Sequence, residues 1–155
     1  MIAAMNPAPP ASRGKILVID DNPIIQRTMY FALRDKGYSV LMSGDITEAL
    51  QIVRKEKLEL ILLDINFPPD ASLGGGGVRD GFWALDWMKR MDEVKNIPVV
   101  IISSNDPATS SPQARAAGAA GYLHKPINKE ELALIVAELL SQKKSTESPA
   151  APPAA

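Results

Sequence analysis

The sequence predicts an α/β fold: one parallel five-stranded sheet with helices on both faces. Five short runs of aliphatic and β-branched residues recur along the chain, several apolar at nearly every position, as in strands covered on both sides. Between successive runs lies a segment with helical apolar spacing. Strands separated by single helices cannot form hairpins, so they pair in parallel through right-handed crossovers.

The first strand is Lys15–Ile19. The helix after it spans 23–36, with Ile25, Met29, Ala32 and Leu33 on one stripe, Asn22 as its cap and Gly37 as its stop. The second strand is Ser39–Met42, and the helix over 45–57 carries Ala49, Ile52 and Val53. The third strand, Leu58–Leu63, leads to a helix over 81–91 whose core stripe is Ala84, Leu85, Met88 and Met91, with Trp83 and Trp87 to one side. The fourth strand is Pro98–Ile102. Ser111-Pro112 then reads as a cap followed by Pro at the first helical position, opening a short Ala-rich helix that Gly118 ends. The fifth strand is Gly121–Leu123, and Asn128 opens a last helix with the stripe Leu132, Ile135, Val136 and Leu139. Residues 1–12 and 143–155 are Pro- and Ala-rich without apolar periodicity. Both are expected to be disordered tails around a domain at 13–142.

Composition removes several function classes. With 155 residues, 46% of them hydrophobic, the chain builds one domain with a substantial core. There is no Cys, which excludes disulfides, thiol nucleophiles and Cys-based zinc sites, and a single His excludes a two-His zinc motif. The formal net charge is -1, which argues against a chain built to coat nucleic acid or anionic membrane. No run approaches a membrane span and the start lacks a signal-peptide pattern, so a soluble cytoplasmic protein is expected.

In an open parallel sheet, ligands bind beyond the carboxyl ends of the strands. There the chain places Asp20-Asp21 after the first strand, Asp64 after the third, Ser103-Ser104 after the fourth and His124-Lys125-Pro126 after the fifth. Taken singly, each is an ordinary cap, turn or surface residue. Together they gather carboxylates, a hydroxyl and an ammonium at one edge. Clustered carboxylates repel and favour a divalent cation or a raised pKa. An all-oxygen site suits Mg2+ with a phosphate. A carboxylate can attack phosphorus to give an acyl phosphate, with Lys125 and Ser103 serving the phosphoryl oxygens.

KILVIDDNP at 15–23, LILLDINFP at 60–68, PVVIISSN at 98–105 and GYLHKP at 121–126 resemble a response-regulator receiver domain of two-component signalling. The resemblance covers 14 to about 142. It implies a flavodoxin-like sheet of order 2-1-3-4-5. It further implies Asp64 as phosphoacceptor, Asp21 and Asp20 as Mg2+ ligands (direct and through water), the backbone carbonyl of Asn66 as a further metal contact, and Ser103 and Tyr122 as the switch pair. Lys125 becomes the phosphate-pairing lysine, before a cis bond to Pro126. The implied donor is a histidine kinase or histidine phosphotransfer protein. The implied output goes to a downstream protein through the face of the fourth helix, fifth strand and last helix, since the residues given after 142 leave no room for an effector domain, unless the chain is a domain excised from a longer one. The protein would not be an enzyme beyond its own phosphotransfer and dephosphorylation.

One departure is the insertion 69–79, with Gly74 to Gly77 inside it, longer than the family's usual connection by about nine residues. It reads as a mobile insertion or a flap over Asp64. Trp83 and Trp87 either border the core or form a partner surface. His124 reads as a solvent-edge residue. Two other functions remain to weigh. A degenerate receiver serving as a scaffold would fail to take up phosphate. An Asp-nucleophile phosphohydrolase needs an acid two positions after its nucleophile, and Asn66 stands there.

Overall fold

Every residue of the strands at Leu60–Asp64 and Val99–Ser103 is shielded from water, which explains why their aliphatic runs carry no polar alternation. The computed structural model describes residues 12–65 and 82–147. Asn66, the insertion 69–79 and the stretches 1–11 and 148–155 lie outside the described residues. The elements run β1 (Lys15–Ile19), α1 (Pro23–Arg34), β2 (Ser39–Ser43), α2 (Ile46–Lys55), β3 (Leu60–Asp64), α3 (Phe82–Arg90), β4 (Val99–Ser103), α4 (Pro107–Ala116), β5 (Gly121–His124) and α5 (Lys129–Glu147). All pairings are parallel and the order is β2-β1-β3-β4-β5. The expected flavodoxin-like sheet is therefore the one observed.

Alternate residues of each strand feed two cores. Ile16 and Val18, Leu60 and Leu62, and Val100 and Ile102 face α1 and α5, where Met29, Leu33, Leu132 and Val136 meet them. Leu17 and Ile19, Ile61 and Leu63, and Val99 and Ile101 face α2 and α3, where Ala49, Val53, Leu85 and Met88 meet them. The predicted stripes of α1 and α3 are thus the buried ones. Asn22 caps α1 as expected, its side chain accepting from the amides of Ile24 and Ile25. Asn128 caps α5 through the Glu131 amide at 3.0 Å.

Three boundaries differ from expectation. The helix expected to open at Ser111-Pro112 begins one turn and a half earlier, with Asp106 accepting from the Ala108 amide at 3.1 Å and Pro107 in the first turn. Two cap-plus-proline signals compete here, and the segment between them has no apolar stripe to choose. Pro112 therefore lies inside α4, where it deprives the Ala108 carbonyl of its usual donor. Second, α5 continues to Glu147 instead of ending near 142. Propagating a formed helix costs little per added residue, so the apolar stripe of its first turns carries the polar residues beyond 142 with it. Third, Ser12, expected in the tail, is held by the domain: its hydroxyl accepts from the Ser39 amide at 3.1 Å.

Among the described residues no helix is long and apolar enough to cross a membrane. Pro112→Ala is expected to raise global stability by about 2 kcal/mol, the lost helix penalty less the gain in unfolded-state freedom. An unchanged urea midpoint would show that α4 has no helical hydrogen bond to recover at that turn.

Candidate functional site

Strand register assembles the site. Ile19 pairs with Leu63, so Asp20 emerges beside Asp64. Asp64 pairs with Ile102, and Ser103 with His124, so the fourth and fifth strands deliver Ser103 and Lys125 to the same edge. The edge is the switch point of the sheet, where the crossover from β1 runs to β2 on one side and the crossover from β3 runs to β4 on the other.

Asp20, Asp21 and Asp64 each offer a carboxylate oxygen within 4.8 Å of the others. Asp20 and Asp64 are buried and Asp21 is exposed. Lys125 Nζ lies 3.2 Å from Asp64 Oδ2 and 3.4 Å from Asp20 Oδ2. One ammonium thus serves two carboxylates. Asp20 is tied down elsewhere: its Oδ1 accepts from the Asn22 amide at 2.8 Å and its own amide donates to the Ser43 carbonyl at 3.1 Å. Its Oδ2 is buried and makes no hydrogen bond. A buried oxygen that faces the Lys125 ammonium at 3.4 Å but has no closer donor, beside two further carboxylates, is what a hard cation would ligate. Burial pushes the Asp20 carboxyl up to about 6, helped by the Asp64 charge and opposed by the Asn22 amide and by Lys125.

Ser103 is buried at the end of β4, its hydroxyl accepting from the Asn105 amide at 2.9 Å. The Tyr122 hydroxyl donates to the Asn105 carbonyl at 3.2 Å. One residue thereby bridges the two side chains expected to move together. The Lys125–Pro126 bond is cis, as expected. His124 is exposed. Asn66, expected to lend a carbonyl, lies outside the described residues.

Trp87 is half-buried and packs on the core under α3, so it borders the core; nothing is described for the Trp83 side chain. Among the described residues the exposed large apolar side chains are Ile24, Phe31, Met42 and Leu134. Ile24 (74% exposed) and Phe31 (43%) stand seven positions apart on α1. With Arg27 and Thr28 between them they form a second stripe, beside the one that packs the core. The i, i+3, i+4, i+7 spacing was present in the sequence, but the stronger core stripe drew the assignment. Sequence reading also passed over Gln26, whose side-chain amide reaches the carbonyls of Asp20 and Ser43.

A family model for the response regulator receiver domain matches residues 16–137. The chain belongs to that family. Among curated receivers, it is 29% identical to the protein PilH of Pseudomonas aeruginosa over 77% of this chain and 91% of that one. Against PilG of the same organism identity is 31%, over 76% and 81%. The chemotaxis response regulator CheY4 of Vibrio cholerae superposes with a TM-score of 0.68 at 28% identity, over 81% of this chain and 98% of that structure. Longer relatives are matched in part: the chain covers 56% of the probable transcriptional regulator ycf29 of Porphyra purpurea. Receivers typically bind Mg2+ at an acidic pocket, and this receiver has its acidic pocket at Asp20, Asp21 and Asp64.

The raised Asp20 pKa fixes a sign. Its ordinary value is 3.8 and its folded value about 6. The folded receiver therefore holds this proton more tightly than the unfolded chain does. The associated stability is present below pH 3.8 and is lost as pH rises through about 6. With divalent cations chelated, wild type is expected to lose a few kcal/mol relative to Asp20→Asn between pH 4 and 7. Urea denaturation across that range checks it, and parallel stability curves for the two proteins would refute the assignment.

Proposed function

We propose that this receiver is a phosphoryl-accepting switch in which Asp64 is phosphorylated with Mg2+. The observation that carries the reading is the convergence of two buried carboxylates, one exposed carboxylate and one shared ammonium at the sheet's switch point. Asp20, Asp21 and Asp64, with the backbone carbonyl of Asn66, would hold the cation. When bound, Mg2+ would neutralise the crowded carboxylates and the phosphoryl oxygens.

The chemistry is nucleophilic displacement at phosphorus. An Asp64 oxygen attacks the phosphorus of a phosphohistidine. The P–N bond breaks, and the imidazole leaves with the bonding pair and takes up a proton. Lys125 is placed to move its pairing from the free carboxylate to the acyl phosphate. Ser103 turns its hydroxyl to a phosphoryl oxygen, which disturbs the Asn105 amide it holds, and the Asn105 carbonyl carries that change to Tyr122. A bias of a few kcal/mol suffices to redistribute two conformers of the face made by α4, β5 and α5. Catalysis is confined to the protein's own phosphorylation and dephosphorylation.

The donor is a histidine kinase or histidine phosphotransfer protein, and the target is a downstream protein. We place the exchange in the cytoplasm, where ATP feeds such kinases. A donor must cover the mouth of the site to bring its phosphorus to Asp64. The adjoining unpartnered apolar surface is α1, where the groove of Pro23, Ile24, Arg27, Thr28, Phe31 and Lys129 meets, at Thr28, a second groove reaching Lys125. We assign donor docking to this surface.

Acetyl phosphate is expected to label wild type in Mg2+ and to leave Asp64→Asn unlabelled; labelling that survives in Asp64→Asn, or that ignores chelation of Mg2+, would contradict the assignment. For Phe31→Asp, transfer from a purified kinase that labels wild type is expected to fall at least about tenfold, roughly 1.4 kcal/mol of lost docking. Labelling by acetyl phosphate should stay within about twofold. Equal loss in both assays would mean that α1 supports the site itself and does not dock the donor.

A further inference from the structure

Gln26 lies one turn into α1, outside the acidic pocket. Its backbone is ordinary helix, the amide donating to the Asn22 carbonyl at 3.0 Å. Its side chain is unusual in its targets. Nε2 donates to the Asp20 carbonyl at 2.5 Å and to the Ser43 carbonyl at 2.9 Å. A carboxamide has two N–H bonds, so both are spent on carbonyls at the ends of two adjacent strands. The Ser43 carbonyl also accepts from the Asp20 amide, at 3.1 Å, which uses its second lone pair. Asp20 is consequently held at its amide, its carbonyl and Oδ1, while Oδ2 is buried with no hydrogen bond.

The clamp reaches further than Asp20. The carbonyl of Asp20 and the amide of Asp21 belong to one planar peptide unit. Fixing that oxygen fixes the plane from which Asp21 departs. Gln26 therefore sets the relative placement of the two neighbouring carboxylates without touching what they bind.

We propose that Gln26 is a positioning residue that presets the Asp20–Asp21 turn for a small octahedral cation. The inference rests on reading the carboxylate cluster as a divalent-cation site. Mg2+ requires near-ideal octahedral geometry at short distances, whereas Ca2+ accepts looser and larger ligand sets. Loosening the turn penalises Mg2+ more than Ca2+. Groups that orient ligands from behind in this way typically change metal affinity by about 10- to 100-fold when removed.

The test is calorimetric titration of the whole metal-free protein with MgCl2 and with CaCl2, alongside urea denaturation in chelator. Gln26→Met keeps the length of the side chain and removes both donors. Gln26→Glu adds a negative charge, which by simple attraction would tighten cation binding, but its ionised carboxylate cannot donate to either carbonyl. Both variants are expected to bind Mg2+ about tenfold more weakly and Ca2+ within about threefold of wild type. Equal losses for the two cations, or tighter Mg2+ binding by Gln26→Glu, would overturn the positioning role. Absence of Mg2+ binding by wild type itself would instead overturn the cation reading beneath it. Should Gln26→Met prove too unstable to titrate, the sign of the Gln26→Glu effect alone decides between geometry and charge.

Discussion

Two carboxylates buried against each other, Asp20 and Asp64, set the physical problem around which this receiver is built. Like charges at such range in a low-dielectric setting cannot both remain ionised without compensation. Lys125 supplies part of it, reaching both at 3.4 and 3.2 Å. Burial, with the Asp64 charge adding to it, still pushes the Asp20 carboxyl up to about 6, and one Asp20 oxygen carries no hydrogen bond. A site in that condition gains from any added positive charge. The proposed response to a phosphoryl group would follow from this electrostatic frustration, held in place by a rigid sheet.

That rigidity comes from the two-sided core. Aliphatic side chains from β1, β3 and β4 are buried on both faces, so the central strands have no freedom to slip register without exposing a full set of them. Register in turn dictates that Asp20, Asp64 and Lys125 arrive at one crevice. By contrast, α4 has small residues and an internal proline, with Ser110 and Ala114 as its buried positions. The contrast between a fixed crevice and a weakly anchored helix nearby is what a switch requires.

Helix α1 serves three purposes at once. One stripe packs the core through Met29 and Leu33, a second presents Ile24 and Phe31 to solvent, and Gln26 reaches back to the strand ends. A helix has enough faces for this because its residues advance about 100° each. The proposed docking surface, the Gln26 contacts and the core stripe share one helix, so a donor seated there would be referred directly to the turn that carries Asp20 and Asp21.

The chain's own pattern determined the strand-helix alternation, the parallel pairing, the core stripes of α1 and α3, the caps Asn22 and Asn128, and the strand-end positions of Asp20, Asp64, Ser103 and Lys125. These follow from local periodicity and from residues that punctuate strands, which any reader of the sequence can count. The start of α4 at Asp106 escaped because two cap-proline pairs compete where no apolar stripe arbitrates. The tertiary structure alone decided that α5 runs on to Glu147, that Trp87 borders the core while Ile24 and Phe31 stay exposed, and that Asn105 links Ser103 to Tyr122. It alone revealed Gln26 bridging two carbonyls. The Gln26–Ser43 and Tyr122–Asn105 contacts join a side chain to the backbone of another element, and only the packing of those elements fixes which donors and acceptors meet.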